Sequence, residues 1–522
     1  MTEAKTKTRT KRKPRSARKK PAPHLIIEAR AGTGKTTTLI EGLRVITGKK
    51  PRIKPSEQQS RIWDAMRQGP KPKTVCFVAF NKSIATELQR RVPAGCSAST
   101  LHSLGLQIIR QSYPRIRVNG SRTVNLLAEH LGYTPRELRR DPFWGSMVSP
   151  ISQLVRLAKL NLIDPDPTAL YELALRYGIE ADERVCSTAA RILERARSLD
   201  DNEVDFDDMV WLGGELPTST MFDLLLVDEA QDLNPAQQRL VQRVGRRLIL
   251  CGDPCQAIYG FAGADTESMT RMESALSQTE VGVEHLHLTV TRRCGRAIVE
   301  EAKPYVPQFE AHPDNPEGRV SFTQLTGPQG STVLDLAEPG DMVLSRVNAP
   351  LVSLCFRFIK AGRKASIQGR DIGQNLTSTI NRLCKPDDTV VRLLDRLAEW
   401  LDREVSKERA KAGGRYNPEA RIAALQDRHD CIVAFTDEAK TVREVLAKIE
   451  QVFTDDEDRP DIRLSSIHKA KGLEADRVFV LRNRHAPLPH PMAKLAWEKE
   501  QERNLTYVAI TRAIQTLVWV GD

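Results

Sequence analysis

The sequence predicts an α/β protein built from two units with parallel sheets, each interrupted by a mainly helical insertion. Three observations carry that expectation. Short apolar runs at 25–28, 224–227 and 248–251 end at glycine-rich or acidic turns, as central strands of a parallel sheet do. The pattern begins again after Gly282, with strand candidates at 342–344, 367, 478–481 and 517–520. Two long stretches, 101–210 and 380–454, read as helical and contain no β-rich run.

Taken in order, folding starts near Leu25. The run 25–28, a glycine-rich turn and helical periodicity over 36–45 give strand, loop and helix. Residues 48–73 are polar, with a helix expected over 56–67. Ser56 would cap it, and Gln59 stands at the third helical position, the capping-box spacing. A buried strand over 75–79 and a helix over 82–91 follow. The expected first unit is 22–110 with 205–281, interrupted by an insertion at 111–204. The second is 282–375 with 455–522, interrupted by a reduced helical insertion at 376–454. Residues 454–461 read as an exposed linker, and 1–21 as a disordered basic tail.

Composition narrows the class. A chain of 522 residues, 40% hydrophobic and 28% charged, can bury a sizeable core without cross-links. The nine cysteines are scattered, with no CxxC pair and no histidines clustered near them. Structural zinc, an iron–sulfur cluster and a disulfide framework are therefore disfavoured, and a reducing cytoplasm fits. No run of 18 apolar residues occurs, so no membrane span is expected, and no hydrophobic signal core follows the basic start. Of the net charge of +12, residues 1–20 supply +9 (ten Lys or Arg against Glu3), leaving +3 for the rest. The tail reads equally well as a salt-sensitive phosphate-binding arm or as a solubilising one. Nucleic-acid binding has to be argued from the folded part.

The strongest local signal is Ala29-Arg30-Ala31-Gly32-Thr33-Gly34-Lys35-Thr36, a phosphate-loop pattern with Ala29 in place of its first glycine. Gly32 and Gly34 allow a tight turn whose N–H groups, with that of Thr33, wrap phosphate oxygens at a helix N-terminus. Lys35 adds charge for the β- and γ-phosphates, and Thr36, followed by Thr37, can ligate Mg²⁺. After the apolar run 224–227, Asp228 can hold the Mg²⁺ shell and Glu229 can orient or deprotonate water. Together these residues point to hydrolysis of a nucleoside triphosphate. A guanine-reading NKxD box is absent, since Asn81-Lys82-Ser83-Ile84 matches only its first two positions, and transporter signatures are missing too.

Five further blocks decide among phosphate-loop enzymes: Phe80-Asn81-Lys82, Ser99-Thr100-Leu101-His102-Ser103, the run 252–261 (GDPCQAIYGF), the run 466–474 (SIHKAKGLE) and the run 507–513 (YVAITRA). In this order they resemble the motifs of a superfamily 1A helicase of the UvrD/Rep/PcrA type, from about Leu25 to the C-terminus. The resemblance implies two RecA-like domains, ATP and Mg²⁺ as cofactors, and 3′-to-5′ movement on single-stranded DNA and at its junctions with duplex. It places Phe80, Asn81, Thr100, His102, Tyr259, Phe261, Ser466 and His468 on the DNA. Gln256 would report the γ-phosphate to the DNA side, Arg293 and Arg512 would reach the nucleotide from the second unit, and Glu474 would contact the ribose.

Four departures qualify the likeness. The family's glutamine motif is missing upstream, and Ser56-Glu57-Gln58-Gln59 looks like a displaced version. Gln58 or Gln59 would then read the adenine edge, with a capped helix surface as the equal alternative. Arg292 replaces the aromatic that stacks on adenine, and its planar guanidinium could stack instead. Ala262 stands where many relatives carry Arg. The short insertion at 376–454 favours translocation over vigorous unwinding and leaves room for a protein partner that supplies duplex contacts. A monomer or weak self-association is expected. The alternatives are a translocase that strips proteins from single strands, and a DNA-binding recruitment protein with a vestigial ATPase.

Overall fold

The computed structural model describes residues 21–141, 143–218, 222–258, 260, 267–325, 332–410, 418–454 and 461–522. The expectations for residues 1–20, Tyr259, Phe261, Ala262 and the linker at 455–460 lie outside the described residues.

β1 (His24–Ala29) is apolar at Leu25, Ile26, Ile27 and Ala29 and buried at all but Glu28, and leads through residues 30–34 into α1 (Lys35–Ile46). α2 (Glu57–Met66) has both halves of the expected capping box: Ser56 Oγ accepts from the Gln59 N–H, and Gln59 Oε1 from the Ser56 N–H. β2 (Val75–Ala79), α3 (Lys82–Arg91), β3 (Cys96–Thr100) and α4 (Leu101–Ser112) follow. The first insertion opens with β4 (Arg117–Val118). It continues through α5 (Arg122–Leu131), α6 (Pro135–Arg140), α7 (Trp144–Asn161), α8 (Pro167–Tyr177) and α9 (Glu183–Arg197), and closes on β5 (Glu203–Val204), which pairs parallel to β4. α10 (Phe206–Gly213), β6 (Phe222–Val227), α11 (Pro235–Val244), β7 (Gly245–Gly252), α12 (Ser268–Ser277) and β8 (Val283–Leu288) complete the unit.

The first sheet is parallel throughout, in the order β3-β2-β6-β7-β1-β8. The carboxyl ends of β1, β6 and β7 therefore stand side by side, where ligands of such sheets bind. One boundary needs correcting. The expected limit at 281 is too early, because β8 pairs with β1 along its length. Its alternation, His285-Leu286-His287-Leu288, is that of an edge strand and escapes a search for continuous apolar runs.

The second unit begins with β9 (Val290–Thr291), α13 (Arg296–Ala302) and β10 (Glu310–Ala311). Its sheet gathers β11 (Arg319–Gln324), β12 (Met342–Ser345), β13 (Ala365–Gln368), β14 (Phe453–Thr454), β15 (Ile462–Ser466), β16 (Ala475–Leu481) and β17 (Ala513–Gly521). These seven parallel strands run in the order β11-β17-β16-β12-β15-β13-β14. α14 (Val333–Leu336), α15 (Ala349–Lys360) and α20 (Ala496–Ile510) cover it. The second insertion comprises α16 (Arg370–Leu383), α17 (Val390–Ala410), α18 (Glu419–Thr436) and α19 (Val442–Val452). It starts at Arg370 instead of 376, and its expected end is also displaced, since Phe453 and Thr454 return to the sheet and Phe453 joins the core. Among the described residues no helix is long and apolar enough to cross a membrane.

The first insertion is anchored where α4 crosses α10 at backbone contact. A Cβ on Gly105 would lie 1.9 Å from the Met209 carbonyl oxygen, and one on Gly213 would lie 2.5 Å from the Gly105 Cα. A buried ion network adds to the anchor: Arg122 pairs with Asp208 at 2.7 Å and Asp201 at 2.8 Å, and Lys159 with Asp205 at 2.7 Å. Gly105→Ala should therefore destabilise the chain by about 1–3 kcal/mol through overpacking against main chain that cannot yield locally. Urea unfolding of the variant beside wild type measures this.

Candidate functional site

The loop after β1 adopts its turn only because two positions lack a side chain. Gly32 (φ 66°) and Gly34 (φ 81°) are left-handed, and Gly34 caps α1. Gly32 is also a point of close approach, since a Cβ there would lie 2.4 Å from Arg293 Cβ and 2.6 Å from Thr291 Oγ1. Thr33 is buried and donates to the Arg30 carbonyl at 2.9 Å, while Thr37 is partly exposed on the first turn of α1. The loop and the start of α1 offer the N–H donors and positive helix end that suit an anion.

The ends of β1 and β6 then meet through charge. Lys35 Nζ lies 3.1 Å from Glu229 Oε2, and the Thr36 hydroxyl donates to Asp228 Oδ2. Burial pulls the Lys35 ammonium down, but Glu229, Asp253 and Asp228 outweigh it and hold its pKa above the usual range. Burial and the neighbouring Glu229 push Asp228 up. Glu229 is lowered, because Lys35 and Lys471 overcome its desolvation. Glu229 is a non-glycine residue with φ 53°, a left-handed conformation that costs of order 1–3 kcal/mol and is retained where surrounding contacts impose it. Gln231 Nε2 donates to Glu229 Oε2 at 2.7 Å.

A second polar cluster joins the two units. Asp253, fully buried after β7, accepts from Arg30 Nη1 at 3.2 Å, Gln256 Nε2 at 2.6 Å and the Tyr507 hydroxyl at 3.3 Å. The same hydroxyl accepts from the Ala31 N–H at 3.0 Å, which ties the phosphate loop to the second unit. Gln231 Oε1 accepts from the Asp253 N–H at 3.0 Å, so one side chain connects Glu229 to this cluster. Lys471 Nζ crosses from the second unit to donate to Asp232 at 2.8 and 2.6 Å and to the Gln256 carbonyl at 2.8 Å. Asn504 Nδ2 adds a bond to the Ala257 carbonyl at 3.0 Å.

The residues singled out from sequence fall into three groups. Lys35, Thr36, Asp228, Glu229 and Gln256 share one region of the first unit, and Arg293 and Arg512 approach it from the second. Arg512 is 1% exposed and donates to the Val508 and Leu473 carbonyls and to Thr511 Oγ1. Burial and Arg293 lower its pKa to about 10, and Glu229 acts on it from across the cleft. Arg293 Nε lies 2.5 Å from Glu474 Oε2, so Glu474 is an arginine partner in this structure. Arg292 is exposed, and its N–H donates to the Gly32 carbonyl.

The two glutamines separate. Gln59 is withdrawn from the adenine role, since its oxygen closes the capping box and its Nε2 donates to Thr38 Oγ1 at 2.9 Å, leaving it 7% exposed. Gln58 holds Thr289 with both ends of its amide, beside the segment that precedes Arg292.

The third group occupies the carboxyl ends of other strands. Phe80, just after β2, is 55% exposed, and Asn81 caps α3. Thr100 ends β3 but is 9% exposed and caps α4, where its Oγ1 accepts from the Ser103 N–H. His102 is partly buried, which lowers its pKa. Ser466 ends β15 and is 8% exposed. Burial, Arg346 and Lys471 lower His468 to about 3, so it is a neutral imidazole at physiological pH.

Sequence reasoning passed over Arg30, Gln231, Asp232, Asp253, Lys471, Asn504 and Tyr507. A signal was present for all but Asn504: each of the others is a polar residue within or directly beside a motif block, whereas Asn504 lies three residues before the block 507–513.

A family profile described as the UvrD/REP helicase N-terminal domain matches residues 10–277, and one described as the UvrD-like helicase C-terminal domain matches residues 370–520. The chain is similar to the ATP-dependent DNA helicase PcrA of Bacillus subtilis, 22% identical over 615 residues that cover 94% of this chain and 80% of that protein. It is 25% identical over 268 residues to PcrA of Staphylococcus aureus, covering 48% of this chain and about a third (34%) of that protein. A second Bacillus subtilis protein, YjcD, is 22% identical, covering 94% of this chain and 76% of its own length.

The depressed His468 fixes a sign for acid stability. Between its ordinary value near 6.5 and about 3, the unfolded chain takes up a proton that the folded chain refuses, so stability falls as pH drops through that window. Replacing His468→Gln should make this fall shallower by up to one proton. Chemical unfolding at a series of pH values checks it.

Proposed function

The chain belongs to the UvrD/REP helicase family, and we propose that it is an ATP-dependent DNA helicase or translocase moving 3′-to-5′ along single-stranded DNA. The observation that carries the proposal is the pairing of Lys35 with Glu229 and of Thr36 with Asp228, with Arg293 and Arg512 approaching from the second unit.

On this reading the N–H groups of Gly32, Thr33 and Gly34, with Lys35, hold the β- and γ-phosphates. The Thr36 hydroxyl and Asp228 carboxylate are adjacent oxygen donors, a set that suits Mg²⁺, which when bound neutralises charge on the transferred phosphoryl group. Glu229, kept ionised by Lys35 and Lys471, orients the attacking water and takes its proton. Arg293 and Arg512 stabilise the charge that develops, Arg293 by exchanging Glu474 for phosphate and releasing that carboxylate toward the ribose. Gln58 and Arg292 border the adenine end.

The same topology supports the reading of the DNA face. Phe80, Thr100 and Ser466 stand at the carboxyl ends of β2, β3 and β15. Phe80 offers an exposed ring to unstacked bases, a contact worth roughly 1–3 kcal/mol per base and tolerant of sequence. Asn81, Thr100, His102, Ser466 and His468 contribute hydrogen bonds, and His468 does so uncharged. Closure of the cleft on ATP and its reopening after hydrolysis alternate the grip on the strand. The small second insertion, α16–α19, favours translocation over vigorous unwinding and supports a partner that supplies duplex contacts.

ATP-dependent strand displacement on matched duplexes with a 3′ or a 5′ single-stranded tail tests the proposal. Preferential opening of the 3′-tailed duplex is expected. Opening of neither, with DNA-stimulated hydrolysis intact, would replace unwinding with translocation alone, and preference for the 5′ tail would reverse the polarity. Lys35→Ala should lower kcat for ATP on the order of 10²–10³-fold, by the magnitude typical of a lost charge-stabilising donor.

A further inference from the structure

β8 is an edge strand, paired only with β1 in its sheet. His285 and His287 stand two residues apart on it and so project from one face. On β1, Glu28 is in register with His287, and its carboxylate reaches that same face. Glu28 Oε2 lies 3.6 Å from His285 Nε2 and 3.9 Å from His287 Nδ1. One donor atom from each of the three residues falls within 4.8 Å of the others. Tetrahedral coordination with bonds of about 2.0–2.2 Å sets donors roughly 3.3–3.6 Å apart, so a small shift of exposed rings would close the set.

The surroundings restrain these donors close to a ligating pose. The two imidazole rings stack, with centroids 4.9 Å apart and planes inclined by 27°. His285 Nδ1 lies 3.4 Å from Glu273 Oε1 on α12. A carboxylate at that distance is placed to accept a hydrogen bond from Nδ1–H, which leaves the Nε2 lone pair free to face Glu28, the way a carboxylate behind a metal-binding histidine fixes its tautomer. The other Glu28 oxygen is 2.6 Å from Arg30 Nη2, which orients the carboxylate. Both histidines are exposed, so an ion has a route in and a fourth position open to water.

We propose that Glu28, His285 and His287 form a binding site for a borderline-soft dication of the zinc type, distinct from the oxygen donors Thr36 and Asp228. Two imidazoles and one carboxylate select Zn²⁺, Co²⁺ or Ni²⁺ over Mg²⁺, which takes oxygen ligands. Occupancy would brace β1 to β8 and, through Glu273, to α12. It would also reach the phosphate loop, because the Arg30 that holds Glu28 is bonded to Asp253.

The test uses the full, untagged chain, stripped of metal and kept in excess Mg²⁺ to mask oxygen sites. Titration with Co²⁺ followed by ligand-field absorption should show one tetrahedral equivalent, and Zn²⁺ should displace it and raise the Tm. The double change His285→Ala with His287→Ala should abolish both effects without moving the metal-free Tm. Glu273→Gln should weaken binding about 10–100-fold, the cost of losing the carboxylate that orients a metal-binding histidine. If the double variant misfolds, the exposed single change His287→Gln gives the same reading. Absence of saturable Co²⁺ binding in the wild type, or binding unchanged by these substitutions, overturns the proposal.

Discussion

A carboxylate taken out of water has to be met by donors, and Asp253 is met by four: Arg30 Nη1, the Cys255 N–H, Gln256 Nε2 and the Tyr507 hydroxyl. Those donors come from the phosphate loop, from the turn after β7 and from the second unit. Removing one partner of a buried charge typically costs about 3–5 kcal/mol, so the three segments are held in one arrangement. The contacts described in the cleft assemble around that requirement.

The parallel topology makes this possible. With β7 between β6 and β1, the turn that carries Asp253 lies between the phosphate loop and the Asp228-Glu229 pair. Gln231 joins the two, donating to Glu229 and accepting from the Asp253 N–H. Lys471 and Tyr507 then bring the second unit onto the same cluster. A change at the Glu229 carboxylate can thus reach Gln256 through two hydrogen-bonded side chains, and Gln256 contacts Lys471 across the cleft. On the function proposed above, this chain of contacts would link the state of the nucleotide to the relation of the two units.

Much of this architecture was legible in the residues. Central strands announced themselves because continuous apolar runs such as 224–227 have few other uses beside a glycine or acidic turn. α3 and the α2 capping box could be read from local chemistry alone. β3 and β8 could not: Cys96-Ser97-Ala98-Ser99-Thr100 is small and polar, and β8 alternates as an edge strand. The site was legible wherever spacing is tied to chemistry, as in Lys35-Thr36 and Asp228-Glu229. It was not legible where function depends on pairing over long separations, as between Asp253 and Tyr507. Gln59 shows the limit from the other side: one residue satisfied two patterns, and the structure commits it to the helix cap.

Coupling between the two units is proposed to run through the Tyr507 hydroxyl, shared by Ala31 and Asp253. It is tested by steady-state ATP hydrolysis of Tyr507→Phe, with and without single-stranded DNA. The change keeps the ring that packs against Phe309 and removes only the hydroxyl. Hydrolysis without DNA should stay near the wild-type rate while stimulation by DNA falls about tenfold, the effect of roughly 1.4 kcal/mol of lost coupling. An unchanged stimulation ratio in a folded variant would contradict the claim and leave the Asp253 cluster a purely structural anchor.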